Sequence, residues 1–339
     1  MSQSRHSWSE ADVRVRPNRK GSRPRSKQRP EHADAVPALV TAVDRGRYQV
    51  LTDAGTPVVA IKARELRRGA VVVGDRVDVV GDVSGAEGSL ARVVRVQQRR
   101  TLLRRSADDT DPTERGIVAN ADQLVIVTAL ADPEPRPRMV DRFLVAAFDA
   151  GMDTLLVLTK ADLVSAADAA GFAERYAALD VRAVATRHAR GSTDWVEAVG
   201  EHLDGRVSVL VGHSGVGKST LVNALVPDAH RATGGVNEVT GRGRHTSSSA
   251  VALPLPAGGW IIDTPGVRSF GLAHVDPARF VAAFEDLAQV AAECPRGCTH
   301  MASAPDCALD PWAEAGTEAD RARLDSFRRL LTSRQAADA

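Results

Sequence analysis

The feature that most constrains the fold is a glycine-rich loop past the middle of the chain. The run G-H-S-G-V-G-K-S at 212–219 follows a β-branched segment at 207–211 and leads into a helical pattern that reaches Leu225. A phosphate-binding loop requires this order of strand, loop and helix. Its glycines let successive backbone N–H groups face phosphate oxygens, and the helix N-terminus adds partial positive charge. These residues predict a nucleotide-binding α/β domain.

The side chains of this loop have separate expected roles. Lys218 can reach the β- and γ-phosphates and is the first candidate catalytic residue, and the Ser219 hydroxyl can ligate Mg²⁺. The residues expected to hold the nucleotide, through backbone or side chain, are Gly212, His213, Ser214, Gly215, Val216, Gly217, Lys218, Ser219 and Thr220. The loop alone is compatible with ATP or GTP, so the base must be read elsewhere.

The motif T-K-A-D at 159–162 follows a predicted strand and resembles the guanine-reading N-K-x-D of GTPases. The Asp162 carboxylate can accept two N–H bonds from guanine, a pair of donors that adenine lacks. Lys160 is expected to lay its stem across the base plane. Thr159 stands where that pattern has asparagine, so it can keep one hydroxyl contact but not the amide's paired bonds. We therefore expect lower guanine affinity, with specificity set by Asp162.

A third motif, D-T-P-G at 263–266, ends another predicted strand and resembles the GTPase element around the γ-phosphate. Asp263 is expected to approach Mg²⁺ through water, and the N–H of Gly266 to contact the γ-phosphate. In ordinary GTPases the phosphate loop comes first and the base-reading motif last. Here 159–162 precedes 212–219 and D-T-P-G follows both, so the GTPase domain is predicted to be circularly permuted.

Predicted strands alternate with predicted helices from residue 117 onward, which indicates a parallel, doubly wound sheet. The strands are predicted at 124–130, 155–158, 181–185 and 207–211, with a hairpin at 250–255 and 259–262. The helices are predicted at 138–150, 168–178, 192–202, 276–292 and 318–331, the last with Leu324, Phe327, Leu330 and Leu331 facing inward.

Residues 37–98 differ from the region after residue 117. They consist of short runs of strand-favouring residues separated by residues that favour turns. The predicted strands are 38–43, 48–51, 58–61, 76–80 and 90–96. Five short strands in about sixty residues indicate a small Greek-key barrel of the OB type. Tyr48 is the only aromatic residue there, so nucleic-acid binding is expected to rely on phosphates and shape rather than on base stacking. A barrel that only docks on the other domain is the alternative.

Charge is unevenly distributed along the 339 residues, although the net charge is only +1. Residues 1–105 hold 22 of the 44 Lys and Arg but 11 of the 43 Asp and Glu, so this third is net +11. The remainder, with 22 against 32, is net −10. A basic module beside an acidic one indicates an anionic partner, with nucleic acid the leading candidate. Residues 1–36, which are basic and almost without aliphatic side chains, are predicted to be disordered.

The C-terminal region carries a Cys/His cluster. Cys294-x₃-Cys298-x-His300-x₆-Cys307 supplies three thiolates and one imidazole, the tetrahedral ligand set of a structural zinc site. An odd, clustered set of cysteines argues against a disulfide framework. One structural Zn²⁺ per chain is expected. Because the GTPase domain is expected to have a core of its own, removing the metal should loosen the C-terminal module alone.

In this order, five features resemble the ribosome small-subunit-dependent GTPase family (RsgA/YjeQ). They are an OB-like barrel, A-N-A-D-Q-L-V-I-V at 119–127, the permuted GTPase motifs, G-R-G-R-H-T-S at 241–247 and the terminal Cys/His cluster. The resemblance implies a GTPase that binds the small ribosomal subunit and its rRNA late in maturation and is stimulated by the subunit. It also implies that Thr246 contacts Mg²⁺ and the γ-phosphate.

The water-positioning group is a departure from Ras-like enzymes. Those enzymes carry a glutamine after D-x-x-G, whereas this chain has Val267. A valine cannot orient water, so slow intrinsic hydrolysis is expected. His245, next to Thr246, is the candidate replacement and joins Thr246 and Lys218 in the candidate catalytic set. The alternative for His245 is a solvated loop histidine.

We therefore expect an α/β protein: a circularly permuted P-loop GTPase domain with an N-terminal OB-like β-barrel and a C-terminal zinc-binding helical module. The predicted boundaries are 1–36 for the basic tail, 37–98 for the barrel, 99–116 for a linker, 117–275 for the GTPase domain and 276–339 for the helical zinc-binding domain. We expect a cytoplasmic monomer, without membrane contact, that binds GTP or GDP with Mg²⁺. The alternatives are a nucleotide-gated RNA-binding adaptor with vestigial hydrolysis, and a transport or metabolic ATPase, against which Asp162 argues.

Overall fold

The computed structural model describes most of the chain from residue 32 onward. The described residues are 32–66, 69–105, 115–187, 193–227, 250–264, 272, 275 and 280–335. Nearly all of the predicted basic tail and the whole of G-R-G-R-H-T-S at 241–247 lie outside them. Within the described residues, no helix is both long enough and apolar enough to cross a membrane.

Five strands form a closed N-terminal barrel. They are β1 (Val36–Asp44), β2 (Arg47–Thr52), β3 (Pro57–Lys62), β4 (Arg76–Gly81) and β5 (Ala91–Val96). Their order is β1-β2-β3-β5-β4, and β4 also pairs with β1. The β3–β5 pair is parallel and the other pairs are antiparallel. The predicted five-strand barrel is confirmed.

The barrel core follows from the alternation of side chains along each strand, which sends successive residues to opposite faces. The buried side chains are Ala38, Val40, Tyr48, Val50, Val58, Ala60, Val71, Val77, Val79, Ala91 and Val93. On β5, Arg92 and Arg95 face solvent instead. The Tyr48 ring is only 4% exposed, so it is not available to stack on a base.

The segment after the barrel, predicted as a linker at 99–116, contains a strand. β6 (Leu102–Arg105) pairs antiparallel with β7 (Arg115–Ala119). Leu103 and Val118 are buried in the main core. A four-residue strand carries too short a pattern to be recognised from sequence, and its pairing with β7 and the burial of Leu103 stabilise it.

The next domain is built on a parallel sheet with the order β10-β9-β8-β11-β13. Its strands are β8 (Gln123–Ala129), β9 (Asp153–Thr159), β10 (Arg182–Ala185), β11 (Val207–Gly212) and β13 (Trp260–Asp263). Every residue of β8 is buried, as expected for a parallel strand covered on both faces. β12 (Val251–Pro254) pairs antiparallel with β13, which confirms the predicted hairpin.

Helices cover both faces of this sheet. They are α1 (Pro137–Asp149), α2 (Ala166–Ala177), α3 (Asp194–Gly200) and α4 (Lys218–Leu225). Leu221 and Val222 of α4 belong to the core on one face. Phe143 of α1 and Tyr176 of α2 belong to the core on the other face. This is the predicted doubly wound arrangement.

Backbone hydrogen bonds attach the barrel to the parallel sheet. β12 pairs with β13 on one side and with β1 on the other, where Ala42 lies opposite Val251. The barrel and the parallel sheet therefore form one continuous 11-stranded sheet. A second attachment lies at β7, where the Ala119 N–H donates to the Val73 carbonyl at 2.9 Å.

The C-terminal region is helical, with α5 (Glu285–Ala291), α6 (Leu309–Ala315) and α7 (Glu318–Gln335). The prediction of one continuous helix at 276–292 is wrong, because the chain turns before Glu285 and Phe284 has an extended backbone (φ −118°, ψ 92°). The Phe284 ring packs edge-on against Phe148 and Phe327, with centroids at 4.9 and 5.5 Å. Tertiary packing overrides helix propensity here.

These helices share a core with the parallel-sheet domain. Phe327 and Leu330 of α7 lie in the same buried cluster as Phe143 and Leu144 of α1. The predicted inward face of the last helix is confirmed. The expectation that the parallel-sheet domain has a core of its own holds on the face covered by α4, where all the buried apolar side chains of the cluster belong to that domain. On the face covered by α1 the core is shared, because α7 supplies part of it.

Candidate functional site

The three sequence motifs meet at one edge of the sheet. β9 ends at Thr159, β11 at Gly212 and β13 at Asp263. All three strands run parallel in the same sheet, so their carboxyl ends lie side by side. In open α/β sheets this edge is where ligands bind. The structure thus brings together motifs that are far apart in sequence.

Glycines make the phosphate-binding loop possible for steric reasons. A Cβ at Gly212 would lie 2.4 Å from the Val127 carbonyl oxygen, so no other residue fits beside β8. Gly215 and Gly217 have φ of +84° and +92°, a region that disfavours other residues. Gly217 is the residue before α4. The loop therefore wraps in front of a helix N-terminus, the arrangement that binds phosphate.

Lys218 connects the phosphate loop to D-T-P-G. Its Nζ donates to Asp263 Oδ1 at 2.7 Å and to the Thr264 carbonyl at 3.1 Å. The Thr264 hydroxyl in turn donates to the Leu210 carbonyl at 2.6 Å, which fixes the end of β13 against β11. The ammonium group and the carboxylate that is expected to face Mg²⁺ are therefore neighbours, and their roles toward phosphate and Mg²⁺ stay predictions.

Thr159 connects the base-reading loop to the phosphate loop. Its hydroxyl donates to the Val216 carbonyl at 2.6 Å, and the Thr128 carbonyl lies 3.3 Å away. The residue is buried. In this structure the hydroxyl hydrogen is therefore directed to the phosphate loop, and the expected hydroxyl contact with the base stays a prediction.

Two neighbouring segments brace the base-reading loop. The sequence indicated Ala185-Thr186 as a loop near the base but assigned no contact to it, and it did not identify the loop at Asp132. The Ala161 N–H donates to the Thr186 carbonyl at 3.1 Å, and Thr186 N–H donates to the Leu158 carbonyl at 2.7 Å. Lys160 Nζ donates to the Asp132 carbonyl in the loop before α1. Backbone contacts of this kind leave no residue-type signal, so pattern reading could not find them.

The remaining predicted nucleotide ligands divide into described and undescribed residues. Ser214, Ser219, Thr220 and Asp162 are exposed at this edge or next to it. His213 is half-buried, and its Nδ1 lies 2.8 Å from the Ser214 carbonyl oxygen. The predicted residues His245, Thr246 and Gly266 lie outside the described residues.

The four predicted metal ligands converge in a second site. Cys294 Sγ lies 3.6 Å from His300 Nδ1 and 4.0 Å from Cys307 Sγ, and Cys307 Sγ lies 3.9 Å from His300 Nδ1. With Cys298, all four ligand atoms lie within 4.8 Å of one another. A tetrahedral site with Zn–S of about 2.3 Å and Zn–N of about 2.0 Å separates its ligands by about 3.5–3.8 Å. The cluster therefore fits zinc.

The surroundings of the cluster suit metal ligation. Burial, followed by the charge of Arg328, lowers the pKa of His300, which keeps the imidazole in its neutral, ligating form. Burial raises the pKa of the Cys307 thiol to about 11, and the neighbouring cysteines add to this, so the ligating thiolate form needs a cation such as Zn²⁺ beside it. Backbone N–H groups of Ala308 and His300 donate to the sulfurs of Cys294 and Cys298 at 3.3 and 3.4 Å.

Comparisons with known proteins agree with this geometry. Residues 96–273 match the model of the RsgA GTPase family. The chain is 36% identical over 293 residues to "Small ribosomal subunit biogenesis GTPase RsgA" of Gemmatimonas aurantiaca, covering 84% of this chain and 93% of that protein. It is 38% identical over 274 residues to the protein of the same name from Pseudomonas syringae pv. syringae, covering 78% of this chain and 75% of that protein.

Solved structures resemble the whole described architecture. The crystal structure of YjeQ from Thermotoga maritima matches with a TM-score of 0.61 and 25% identity, covering 90% of this chain and all of that one. YloQ, described as a circularly permuted GTPase, matches with a TM-score of 0.62 and 22% identity, covering 91% and 98%. The second likeness supports the fold alone. From the matched residues and the extent of these identities, the chain belongs to the RsgA GTPase family.

Proposed function

We propose that this protein hydrolyses GTP to GDP and phosphate during late maturation of the small ribosomal subunit, and that the subunit stimulates hydrolysis. The observation that carries the proposal is the convergence of T-K-A-D, the phosphate loop and D-T-P-G at one sheet edge. Family membership and the names of the relatives support the ribosomal role.

The first experiment is a measurement of GTP hydrolysis by the protein alone, with small subunits and with large subunits. We expect slow turnover alone, strong stimulation by small subunits and none by large subunits. Equal turnover in all three conditions would contradict the ribosomal role. The Lys218→Ala and Ser219→Ala variants, which remove a phosphate-binding cation and an Mg²⁺ ligand, should abolish hydrolysis and serve as controls for a contaminating activity.

In the proposed catalytic site, Lys218 stabilises the phosphates and Asp263 approaches Mg²⁺ through water. Ser219 and Thr246 are the proposed Mg²⁺ ligands, and Gly266 contacts the γ-phosphate. His245 is the proposed water-positioning group. His245→Ala should then lower the turnover rate with little effect on the affinity for GTP. Unchanged turnover would remove His245 from the site without affecting the other assignments.

Guanine specificity is proposed to come from Asp162. Its two hydrogen bonds to the base should each contribute roughly 1.5–3 kcal/mol as charge-assisted bonds. Asp162→Asn should shift preference from GTP toward xanthosine triphosphate, because the amide offers a donor where guanine also has one. If Asp162→Asn binds GTP as tightly as the parent protein, the assignment of T-K-A-D is wrong.

The barrel is proposed to bind rRNA through phosphates. Arg45, Arg47, Arg64, Arg92 and Arg95 are exposed on it, and burial of the Tyr48 ring removes the aromatic side chain that stacking would use. Binding through phosphates predicts strong salt dependence. The affinity for small subunits should therefore fall steeply between low and moderate salt. We propose that the protein acts as a cytoplasmic monomer.

The cluster of Cys294, Cys298, His300 and Cys307 is proposed to hold one structural Zn²⁺ per chain. Its fit rests on the ligand spacing and on the lowered pKa of His300. Four protein ligands fill a tetrahedral site and leave no open position for catalysis. Elemental analysis of the purified protein should give one zinc per chain, and a Cys298→Ser, Cys307→Ser double variant should give none.

Nucleotide state is proposed to control the pose of the barrel. β12 pairs with barrel strand β1, and β13, which leads into D-T-P-G, pairs with β12. Contacts of Thr246 and Gly266 with the γ-phosphate would act on the chain just before β12 and just after β13. Small subunits should then bind more tightly with a non-hydrolysable GTP analogue than with GDP, and they should tighten analogue binding by the same factor.

A second function, a nucleotide-gated RNA-binding adaptor with vestigial hydrolysis, is favoured by one observation. The Thr159 hydroxyl is committed to Val216, which leaves fewer groups to read the base than an asparagine would. The turnover measurement separates the two functions. Nucleotide-dependent subunit binding without stimulated hydrolysis would support the adaptor.

A further inference from the structure

Arg328 of α7 lies beside the metal-ligand cluster and contacts it from the outside. Its Nε donates to the His300 carbonyl at 3.1 Å. Its Nη1 donates to Asp310 Oδ1 at 2.7 Å, on α6. The side chain is only 14% exposed. One guanidinium therefore connects the loop that carries the imidazole ligand to two different helices.

The third nitrogen of this guanidinium lacks a hydrogen-bond partner. Nη2 of Arg328 is buried, and nothing in the described part of the chain accepts a hydrogen bond from it. A buried donor without an acceptor costs about 1–3 kcal/mol, so such groups usually mark a missing partner. Asp310, which holds Nη1, donates its own backbone N–H to the Cys307 carbonyl at 3.1 Å, and Cys307 Sγ lies 3.9 Å from Nδ1 of His300, whose carbonyl holds Nε. Both residues that hold this guanidinium are therefore neighbours of Cys307.

The chemistry of a loaded site supplies the missing acceptor. Three thiolates and a neutral imidazole around Zn²⁺ carry a net charge of −1, and Cys307 and His300 are buried. Burying an uncompensated charge is costly unless it is paired. A thiolate at Cys307 would add a strong acceptor where the protonated thiol is a weak one.

We propose that Arg328 is the positioning residue of the metal centre, donating through Nη2 to the Cys307 thiolate while it holds the His300 loop through that residue's carbonyl. The inference rests on the proposed zinc site. Groups outside the ligand set typically change metal affinity by 10- to 100-fold. Because Arg328 belongs to α7, metal loading also stabilises the helix that completes the core beside α1.

The chain offers a matched control on the same helix. Arg323 is 15% exposed and bonds two carboxylates, Asp180 at 2.6 Å and Asp286 at 3.0 Å. Its hydrogen bonds within the described residues go to these two carboxylates and to the Ala178 carbonyl, none of which belongs to the metal cluster. Arg323→Met therefore removes from α7 a half-buried guanidinium that is paired with two carboxylates, and it leaves the metal ligands unchanged. The zinc affinity of this variant shows how much a general loosening of α7 weakens the metal site.

The experiment compares Arg328→Met, Arg328→Lys and Arg323→Met in the full-length protein. Zinc affinity is measured by competition with a chromogenic chelator, and the thiolate-to-metal absorption band is recorded after cobalt(II) substitution. We expect Arg328→Met to lose 10- to 100-fold in zinc affinity and to shift the cobalt band, because the electron density on Cys307 changes. Arg323→Met should stay within about threefold of the parent. Arg328→Lys should recover part of the loss, since it keeps the charge.

The outcomes separate this inference from the zinc proposal. No zinc in the parent protein overturns the metal site itself. Zinc in the parent protein with equal affinities and identical cobalt bands in Arg328→Met and Arg323→Met overturns the role of Arg328 only. If Arg328→Met does not fold, Arg328→Lys and Arg323→Lys take its place. Equal zinc affinity in those two variants then overturns the inference.

Discussion

The two flanking modules are attached to the nucleotide domain by different kinds of contact. The barrel is held by backbone hydrogen bonds, at β1–β12 and between Val73 and Ala119. The C-terminal module is held by side chains, since Phe284 and Phe280 pack against Phe148 of α1, with ring centroids at 4.9 and 6.2 Å. The attachment of the barrel therefore depends on the position of the backbone, and the attachment of the C-terminal module depends on the volume of the packed side chains.

This difference predicts different sensitivities. Side-chain truncation should weaken the C-terminal attachment strongly, because cavities in a shared core lower stability in proportion to the volume lost. The barrel attachment should tolerate truncation and respond instead to changes that move the backbone. It also involves β12 and β13, which follow residues 241–247 and precede the end of D-T-P-G in the chain, so the proposed nucleotide switch would act most directly on this attachment.

The largest effect should follow removal of the proposed Zn²⁺. A structural zinc site contributes folding free energy directly, of order 10 kcal/mol in small zinc domains. Because α7 belongs to the common core, chelation should expose α1 as well as α5–α7. Hydrogen exchange followed by mass spectrometry, with and without chelator, measures this. Faster exchange confined to 285–335, with α1 unchanged, would show that the modules are independent, and re-added zinc should restore protection.

The next effect in size should come from Phe327→Ala. The ring is fully buried between Phe280 and Phe284, and truncating a buried phenylalanine lowers the free energy of unfolding by about 3–5 kcal/mol. Urea unfolding should show the loss with one probe in the parallel-sheet domain, Trp260, and another in the C-terminal module, Trp312. Two separate transitions, only one of them shifted, would contradict a common core.

Sequence patterns identified the parts of this molecule whose signals are local. The alternation along 38–96 predicted five barrel strands, and the glycines of 212–219 predicted the phosphate loop, because both signals lie within a few residues. The ligand spacing from Cys294 to Cys307 predicted the metal cluster for the same reason. Each of these three signals is a spacing of particular residue types that few other local structures would need.

The junctions between parts could not be predicted. The pairing of Ala42 with Val251 joins strands that are distant in sequence, and either strand edge offers the same backbone groups to any partner. The apolar pattern of α7 in the sequence predicted that Phe327 is buried, but it could not show that α1 is the helix that packs against this face. The Thr159 hydroxyl could donate to the base or to the protein, and only the fold places Val216 within 2.6 Å.

A glycine pair tests the backbone attachment of the barrel. Gly74 and Gly46 both have φ of +87°, but a Cβ at Gly74 would lie 2.1 Å from the Ala119 carbonyl oxygen, whereas Gly46 has open space. Gly46→Ala should cost roughly 1–2 kcal/mol for left-handed backbone. Gly74→Ala should cost about 3 kcal/mol, because it also displaces β7. Thermal unfolding of the two variants measures the difference, and equal losses would mean that the contact with Ala119 is not needed.

The smallest effect concerns a buried carboxylate in the C-terminal attachment. Asp141 of α1 is 2% exposed, and its Oδ2 lies 3.3 Å from Arg329 Nε of α7. Burial raises the pKa of Asp141, while Arg329 and Arg175 oppose the rise. Tyr176 lies under the Arg329 guanidinium, with 5.3 Å to the ring centroid. The net direction means that the charged form of Asp141 is less favourable in the folded state than in the unfolded state.

The sign of the pH dependence follows from that direction. A pKa raised in the folded state contributes stability that is fully present below the ordinary value near 3.8 and is lost as pH rises through the folded value. The free energy of unfolding of the parent protein, minus that of Asp141→Asn, should therefore fall with rising pH. Urea unfolding of both proteins between pH 5 and 8, about the range in which the parent is expected to stay folded, measures it. A difference that grows with pH would instead show that the ion pair with Arg329 outweighs burial, which would make the attachment of α7 electrostatic as well as apolar.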